Sequence, residues 1–355
     1  MRNAENHRLE MIAYEAFLRR ASIINMPFML KGSYVTRQYL PNGIERFPAD
    51  MDWVYMHHLQ EEKEAENIFS RWATEITELD VNDGVVFISF TENKFWRLID
   101  YAMADDFPTV NTDLICTVHG HEIDLRIDIS FNLTIDHPTV SLPYQPIEGE
   151  AFIVPFTVPL SLQVSWKIHQ TLLRPRFKDL LDLTYLVVHP TFNADVCTAT
   201  LQALVNECDT DEVDHESLIS FFNYDFEKLY SSNSIDIAWN YWRYGVRPPD
   251  AFKFVFWGDI AENITDLNQL PEQLSDCLQN LKNSLEAAGL NPELLKRPPI
   301  ADYIKRSLSR VAVKPKQNKI VNIPQSDNAQ PSTHQTTAVH NSILKRFVNW
   351  LLKDK

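Results

Sequence analysis

Several short stretches of this 355-residue chain carry side chains that could act together on a phosphate ester. The first is Asp50-Met51-Asp52, inside a run over 50–56 with the period-two alternation of a strand. Strand side chains alternate between faces, so Asp50 and Asp52 project together while Met51 and Trp53 point the other way, where they can be buried. Two carboxylates one pleat apart repel unless a cation sits between them. Mg²⁺ (or Mn²⁺) suits that place, because it takes oxygen ligands and is often held by one or two carboxylates plus substrate phosphates. Such pairs also occur on solvated strand faces, so Asp-x-Asp alone does not decide the matter.

The second stretch is Gly32-Ser33, which follows the apolar run Phe28-Met29-Leu30 and opens a short helix reaching Tyr39. Glycine lets a phosphate approach the backbone closely, and the amides and hydroxyl that follow can bond its oxygens. The interval from Ser33 to Asp50 allows one helix and a return to an adjacent strand, which brings triphosphate and metal to one sheet edge. A third acid lies on a strand over 123–131, whose polar face carries Asp124, Arg126, Asp128 and Ser130. It could bind a second metal ion or take the proton from an attacking hydroxyl. Asp128 is preferred to Asp124, which is near the turn at His119-Gly120; for either, a salt bridge with Arg126 is the alternative. Lys167 stands among apolar neighbours in a helix, where a lysine either snorkels out or meets an anion. Beyond it, Asp179 and Asp182 are three apart and share a helix face, the alternative being a plain answer to the helix dipole.

The elements that must position these groups are legible from periodicity. Residues 4–24 and 61–79 read as amphipathic helices, and 85–90, 95–103 and 114–118 as strands. From about 160 the pattern turns helical: Ser161 can cap a helix to Leu173, followed by helices over 177–188, 194–208, 214–230, 250–268 and 271–289. The aromatic stretch 220–257, with Trp239, Trp242 and Trp257, reads as core. The division expected is an α/β core over 1–150, a helical domain completing the active site over 151–312, a disordered linker over 313–341 and an amphipathic helix over 342–355.

In order, Leu30-Lys31-Gly32-Ser33, then Arg46-Phe47-Pro48-Ala49-Asp50-Met51-Asp52, then Lys167, then Arg176-Phe177-Lys178-Asp179-Leu180-Leu181-Asp182 resemble the motifs of the AbiEii/AbiGii toxin family, nucleotidyltransferases of the DNA polymerase β-like superfamily. The family pattern is an apolar strand, Lys-Gly-Gly/Ser, a short helix, Arg-x-Ser/Thr-x-Asp-x-Asp, and later Lys-x-x-Ala and Arg-x-Lys-Asp-x-x-Asp. The resemblance covers residues 28–190 and implies an α+β fold: a polymerase β-like mixed sheet with helices, followed by a mainly helical C-terminal domain. It implies transfer of a nucleotidyl group from an NTP to an acceptor hydroxyl of tRNA or protein, in the toxin of a toxin–antitoxin or phage-defence pair, hence with an antitoxin as partner. Gly32 and Ser33 would touch the triphosphate, with Lys167, Arg46 and Lys178 as further phosphate-side groups; Asp50, Asp52 and Asp128 would hold Mg²⁺; Asp179 would lie in or beside the site. Pro48 departs from the pattern, where Ser or Thr would supply a hydrogen bond beside the acids.

Composition limits the alternatives. There are 33 Lys and Arg against 48 Asp and Glu, a formal charge of −15, which argues against broad binding along duplex DNA. Residues 311–355 hold seven basic and two acidic groups, a net of +5, which leaves −20 for the rest. An acidic surface suits a cationic small substrate, so a sugar or antibiotic nucleotidyltransferase is one competing reading; a nucleotide- or partner-binding module without turnover is another. Cys116, Cys197, Cys208 and Cys277 form no Cys-x-x-Cys pair and read as reduced core thiols of a cytoplasmic protein. His57, His58, His119 and His121 read as solvated rather than metal-binding. No run reaches the roughly 18 apolar residues of a membrane span. The C-terminal helix could dock on its own domain, bind a partner or lie on a membrane surface.

Overall fold

The computed structural model describes residues 4–99, 108–230, 235–245 and 260–313. Helix α1 (Ala4–Ile24) leads into β1 (Phe28–Lys31), and Gly32 at φ +75° turns the chain into the short α2 (Ser33–Thr36). Then come β2 (Met51–Tyr55), α3 (Glu62–Glu78), β3 (Val85–Phe87), β4 (Arg97–Ile99), β5 (Thr109–Val118), β6 (His121–Ser130), β7 (Val140–Tyr144) and β8 (Phe152–Thr157). Among the described residues they form one eight-stranded sheet, ordered β3-β5-β6-β2-β1-β8-β7, with β4 also paired to β5. β2 runs parallel to β6 and β1 parallel to β8, and the other pairs are antiparallel, so the sheet is mixed.

The alternation expected for 50–56 holds from Met51 onward, with Asp50 in a bend just ahead of the strand. Met51 and Trp53 are buried under α1 and α3, where Trp72 stacks on Phe28 at 4.0 Å and meets Trp53 at 5.1 Å and Phe17 at 5.4 Å. Asp52 consequently faces the opposite side of the sheet. The strands expected over 85–90 and 95–103 are shorter, and 100–103 lie outside the described residues. β7 and β8 give no clear sequence signal: Pro143 and Pro155 interrupt the alternation, and both are tolerated because β7 is an edge strand and its ladder with β8 is irregular between Val140 and Leu142. With β8 the sheet runs past residue 150.

The C-terminal part is helical and has its own core: α4 (Leu160–Leu173), α5 (Phe177–Leu186), α6 (Ala194–Thr210), α7 (His215–Phe222), α8 (Ile235–Tyr244), α9 (Leu274–Ala287) and α10 (Ile300–Val313). Ser161 does not cap α4; the N-cap is Pro159 and Ser161 is buried inside the first turn. α6 is capped by Asn193, whose side chain accepts from the amides of Asp195 and Val196. The expected helix over 214–230 ends at Phe222 and gives way to a 3₁₀ turn at Phe226–Leu229. Trp239 and Trp242 are core residues packed on Phe177. Trp257 and most of the helix expected over 250–268 lie outside the described residues, and 260–268 hold only short 3₁₀ turns. Val313 still belongs to α10; the rest of the expected linker and the tail 342–355 lie outside the described residues. No described helix is long and apolar enough to cross a membrane.

Candidate active site

Strand register brings the predicted acids together. Lys31 on β1 pairs with Asp52 on β2, Asp52 with Asp128 on β6, Asp128 with Asn111 on β5, and Asn111 with Arg97 on β4. One straight row of polar side chains thus crosses five strands, with neighbours about 5 Å apart. Lys31 Nζ is 3.5 Å from Asp52 Oδ1. Asn111 donates to Asp128 Oδ1 at 2.6 Å, and Arg126 Nε lies 3.3 Å from the same oxygen. The salt bridge with Arg126 therefore exists, but it does not take Asp128 out of the row, because both contacts fall on Oδ1. Asp124 sits two pleats further along β6, opposite Ile115, and is exposed.

Neighbouring buried carboxylates should resist ionisation, as Asp50 and Asp128 do. Burial and then the charge of Asp52 push Asp50 up to about 6, while Lys178 pulls it back. Burial and Asp52 likewise raise Asp128 above the ordinary carboxylate range, against Asn111 and Arg126. This is the electrostatic signature of a site that is short of positive charge. Among the described residues no three His, Cys, Asp or Glu groups converge as a ready-made metal cage. The donor set still fits Mg²⁺ or Mn²⁺, ions that need only one or two hard carboxylate oxygens when phosphates and water fill the remaining positions.

Gly32 closes one side of the row. Its carbonyl accepts from the Thr36 amide at 3.0 Å and from Gln163 Nε2 of α4 at 3.0 Å, and Gln163 also donates to Thr36 Oγ1 at 2.7 Å. Ser33 begins α2 directly behind it and is half-buried. Lys31, Gly32, Gln163, Lys167, Arg176 and Asp179 line one cavity between the sheet and the helical part.

Lys167, Asp179, Asp182 and Arg46 form a second, buried group. Lys167 Nζ is 2.7 Å from Asp182 Oδ2 and 3.3 Å from Asp179 Oδ1, and Arg176 Nε is 2.6 Å from Asp179 Oδ2. Arg46 holds Asp182 through Nε at 2.8 Å and Nη2 at 3.1 Å, and its Nη1 donates to the Ile264 carbonyl at 3.1 Å. Arg46, expected as a phosphate-side group, is 3% exposed and its fork is directed at Asp182, so it ties the loop before β2 to α5. Arg176 and Lys167 hold Asp179 below its ordinary range, and Arg46 and Lys167 do the same to Asp182, both against the cost of burial. Lys178 is half-buried next to Asp179 and acts on Asp50 through its charge.

Four contributors escaped the sequence reading: Lys31 as partner of Asp52, Asn111, Gln163, and Asp182 as partner of Arg46. Gln163 was within reach, because it stands one helical turn before Lys167 on α4. Asn111 and Asp182 depend on register and tertiary pairing, for which a single sequence has no local signal. The four histidines weighed as metal ligands, His57, His58, His119 and His121, are exposed. Cys116, Cys208 and Cys277 are free and buried, and Cys197 is free and half-buried.

The sequence matches the model of the family described as "Nucleotidyl transferase AbiEii toxin, Type IV TA system" over residues 16–238, more than half of the chain. No curated protein matches. Among solved structures, JHP933 from Helicobacter pylori is 16% identical over 88% of this chain and 99% of that one, with a TM-score of 0.38. MenT4, a nucleotidyltransferase toxin from Mycobacterium tuberculosis H37Rv, is 11% identical over 87% of this chain and 95% of that one, with a TM-score of 0.46. The family match takes in Gly32, Asp50, Asp52, Asp128, Lys167 and Asp182, and the chain belongs to the AbiEii nucleotidyl transferase toxin family.

Proposed function

We propose that the protein moves a nucleotidyl group from a nucleoside triphosphate to an acceptor hydroxyl at the Lys31–Asp52–Asp128 row. The observation that carries this reading is the register of Asp52 beside Asp128, with Gly32 packed against Asp52 and Lys31 at its other side. Asp50, Asp52 and Asp128 would hold Mg²⁺ (or Mn²⁺), which when bound supplies the positive charge that draws the triphosphate to these acids. Gly32 and Ser33 offer backbone and hydroxyl to the phosphates, and Lys31 and Lys167 line the same cavity with positive charge. The bond that forms joins the acceptor oxygen to the α-phosphorus; the bond that breaks joins that phosphorus to the bridging oxygen, and pyrophosphate leaves. The hydroxyl proton goes to Asp128. Asp128 lies in the row beside Asp52, whereas the two oxygens of Asp179 are taken up by Lys167 and Arg176.

The acceptor in this reading is tRNA or a protein, and the biological partner is an antitoxin, in keeping with the family. Incubation with each labelled NTP, Mg²⁺ and either total RNA or total protein tests it, with Asp50→Asn/Asp52→Asn as control. Label in one acceptor pool that disappears with the double variant supports transfer. Binding of nucleotide with no label in either pool would favour a binding module, and label only on an added small molecule would favour an antibiotic- or sugar-modifying enzyme.

A further inference from the structure

Tyr14 lies in the middle of α1 and is 3% exposed. Its hydroxyl donates to the Ala49 carbonyl at 2.9 Å and accepts from the Arg126 amide at 2.9 Å. These two backbone groups belong to the chain entering β2 and to β6. The ladder between those strands begins only at Met51 opposite Ile127. The phenol therefore stands in for a backbone rung just ahead of it, next to Asp50 on one side and two residues before Asp128 on the other. The Tyr14 ring also meets the ring of Tyr34, the residue after Ser33, at a centroid distance of 5.3 Å.

One side chain thus touches each of the three segments that carry Gly32-Ser33, Asp50-x-Asp52 and Asp128. We infer that Tyr14 is a positioning residue that fixes the spacing of Asp50 and Asp52 against Asp128. Both hydrogen bonds are half-buried, and the hydroxyl is the group that can serve an N–H and a C=O at once. Burial, with Asp50 and Asp128 adding to it, keeps the phenol protonated, so the proton donated to Ala49 is present across the working pH range. The rest of the residue is core packing, which a phenylalanine would reproduce. The inference rests on the reading of these acids as the cation-binding group.

The test is Tyr14→Phe in the full chain, with Tyr144→Phe as a matched control. Tyr144 is also buried and its hydroxyl is also bonded, but to Glu15 and Arg37, neither of which belongs to the row. Mn²⁺ titration followed by electron paramagnetic resonance, without nucleotide, reads the cation site directly. Hydrogen–deuterium exchange over residues 49–52 and 126–128 reads the rung. Expected for Tyr14→Phe are faster exchange in both segments and Mn²⁺ affinity lowered roughly ten- to a hundredfold, the scale for groups that orient metal ligands. Tyr144→Phe should leave both readouts unchanged. Unaltered exchange and affinity in Tyr14→Phe, or an equal loss of affinity in Tyr144→Phe, would overturn the inference. A wild-type chain that binds no Mn²⁺ while Tyr14→Phe still speeds exchange would instead overturn the cation-site reading and leave Tyr14 only as a strand rung.

Discussion

A Cβ built on Gly32 would come within 2.5 Å of Asp52 Oδ2, so the glycine turn and the central acid are in mutual contact. Gly32 also has φ +75° and ψ −144°, a region nearly confined to glycine that costs an L side chain about 1–3 kcal/mol. Gly32→Ala should therefore act in two ways: a modest loss of stability, and a displaced Asp52 carboxylate. Misplacing a reacting group by about 1 Å can lower a rate roughly a hundredfold. The expected outcome is transfer activity down by about that factor, with a thermal unfolding midpoint only a few degrees lower. Near-wild-type activity in the folded variant would show that Asp52 does not need this contact.

Asp128 and Asp124 can be separated by the same pair of measurements. Asp128 is 3% exposed and its charged form is disfavoured by burial and by Asp52, whereas Asp124 is exposed. Asp128→Asn should abolish transfer by at least about a hundredfold, the scale of a lost general base, and should leave the fold as stable as wild type or more so, because it removes a repulsion. Asp124→Asn should leave both near wild type. A large activity loss in Asp124→Asn with activity retained in Asp128→Asn would reverse the assignment of the third acid.

The local signals in the sequence were the ones that require only neighbours along the chain. The alternation of Met51, Asp52 and Trp53, the turn at Gly32 and the polar face of β6 each follow from a few adjacent residues, and each is present in the fold. What could not be read were relationships across the chain. Lys31, Asp52, Asp128 and Asn111 share a row because of strand register, and a slip of one residue would have sent the acids to the opposite face. Arg46 and Asp182 are 136 positions apart, so their pairing has no local trace. β7 and β8 were hidden by prolines, which an edge strand and an irregular ladder accommodate.

The Arg46–Asp182–Lys167 group makes a stability prediction. Asp182 is 1% exposed and meets two cations that are themselves buried. Asp182→Asn leaves both cations short of a counter-charge and should cost about 3–5 kcal/mol, measured by urea unfolding at neutral pH. The double change Arg46→Met/Asp182→Leu removes a buried charge of each sign together and should cost less than Asp182→Asn alone. A larger loss in the double variant would mean that the pair itself, rather than the uncompensated charge, dominates.

The same carboxylates set the acid limb of stability. Asp179 and Asp182 are both held below the ordinary range by their cations. A depressed folded-state value means that the unfolded chain takes up the proton first. Their contribution is therefore fully present above the unfolded carboxyl value of about 3.9 and is lost as pH falls below it. The urea midpoint of the wild type should drop steeply below about pH 4, and Arg46→Met/Asp182→Leu should flatten that drop. An equally steep acid limb in the double variant would place its origin in other carboxylates.

Gln163 joins the helical part to the glycine turn, and its loss should be felt in nucleotide binding before chemistry. Its amide donates to the Gly32 carbonyl and to Thr36 Oγ1. In a trans peptide the carbonyl of Gly32 and the amide of Ser33 point in opposite directions, so a hold on the first aims the second. Gln163→Leu keeps the volume but releases that hold, and it leaves the buried Thr36 hydroxyl with one partner fewer, a cost of about 1–2 kcal/mol. If Ser33 and its amide grip the triphosphate in ground state and transition state alike, KM for the NTP should rise while kcat stays close to wild type. Calorimetric titration with the NTP should show the same loss of affinity without turnover. An equal fall in kcat and kcat/KM with unchanged nucleotide affinity would mean that the turn acts on the transition state alone, and Gln163 would then belong with Asp52 and Asp128 rather than with the phosphate grip.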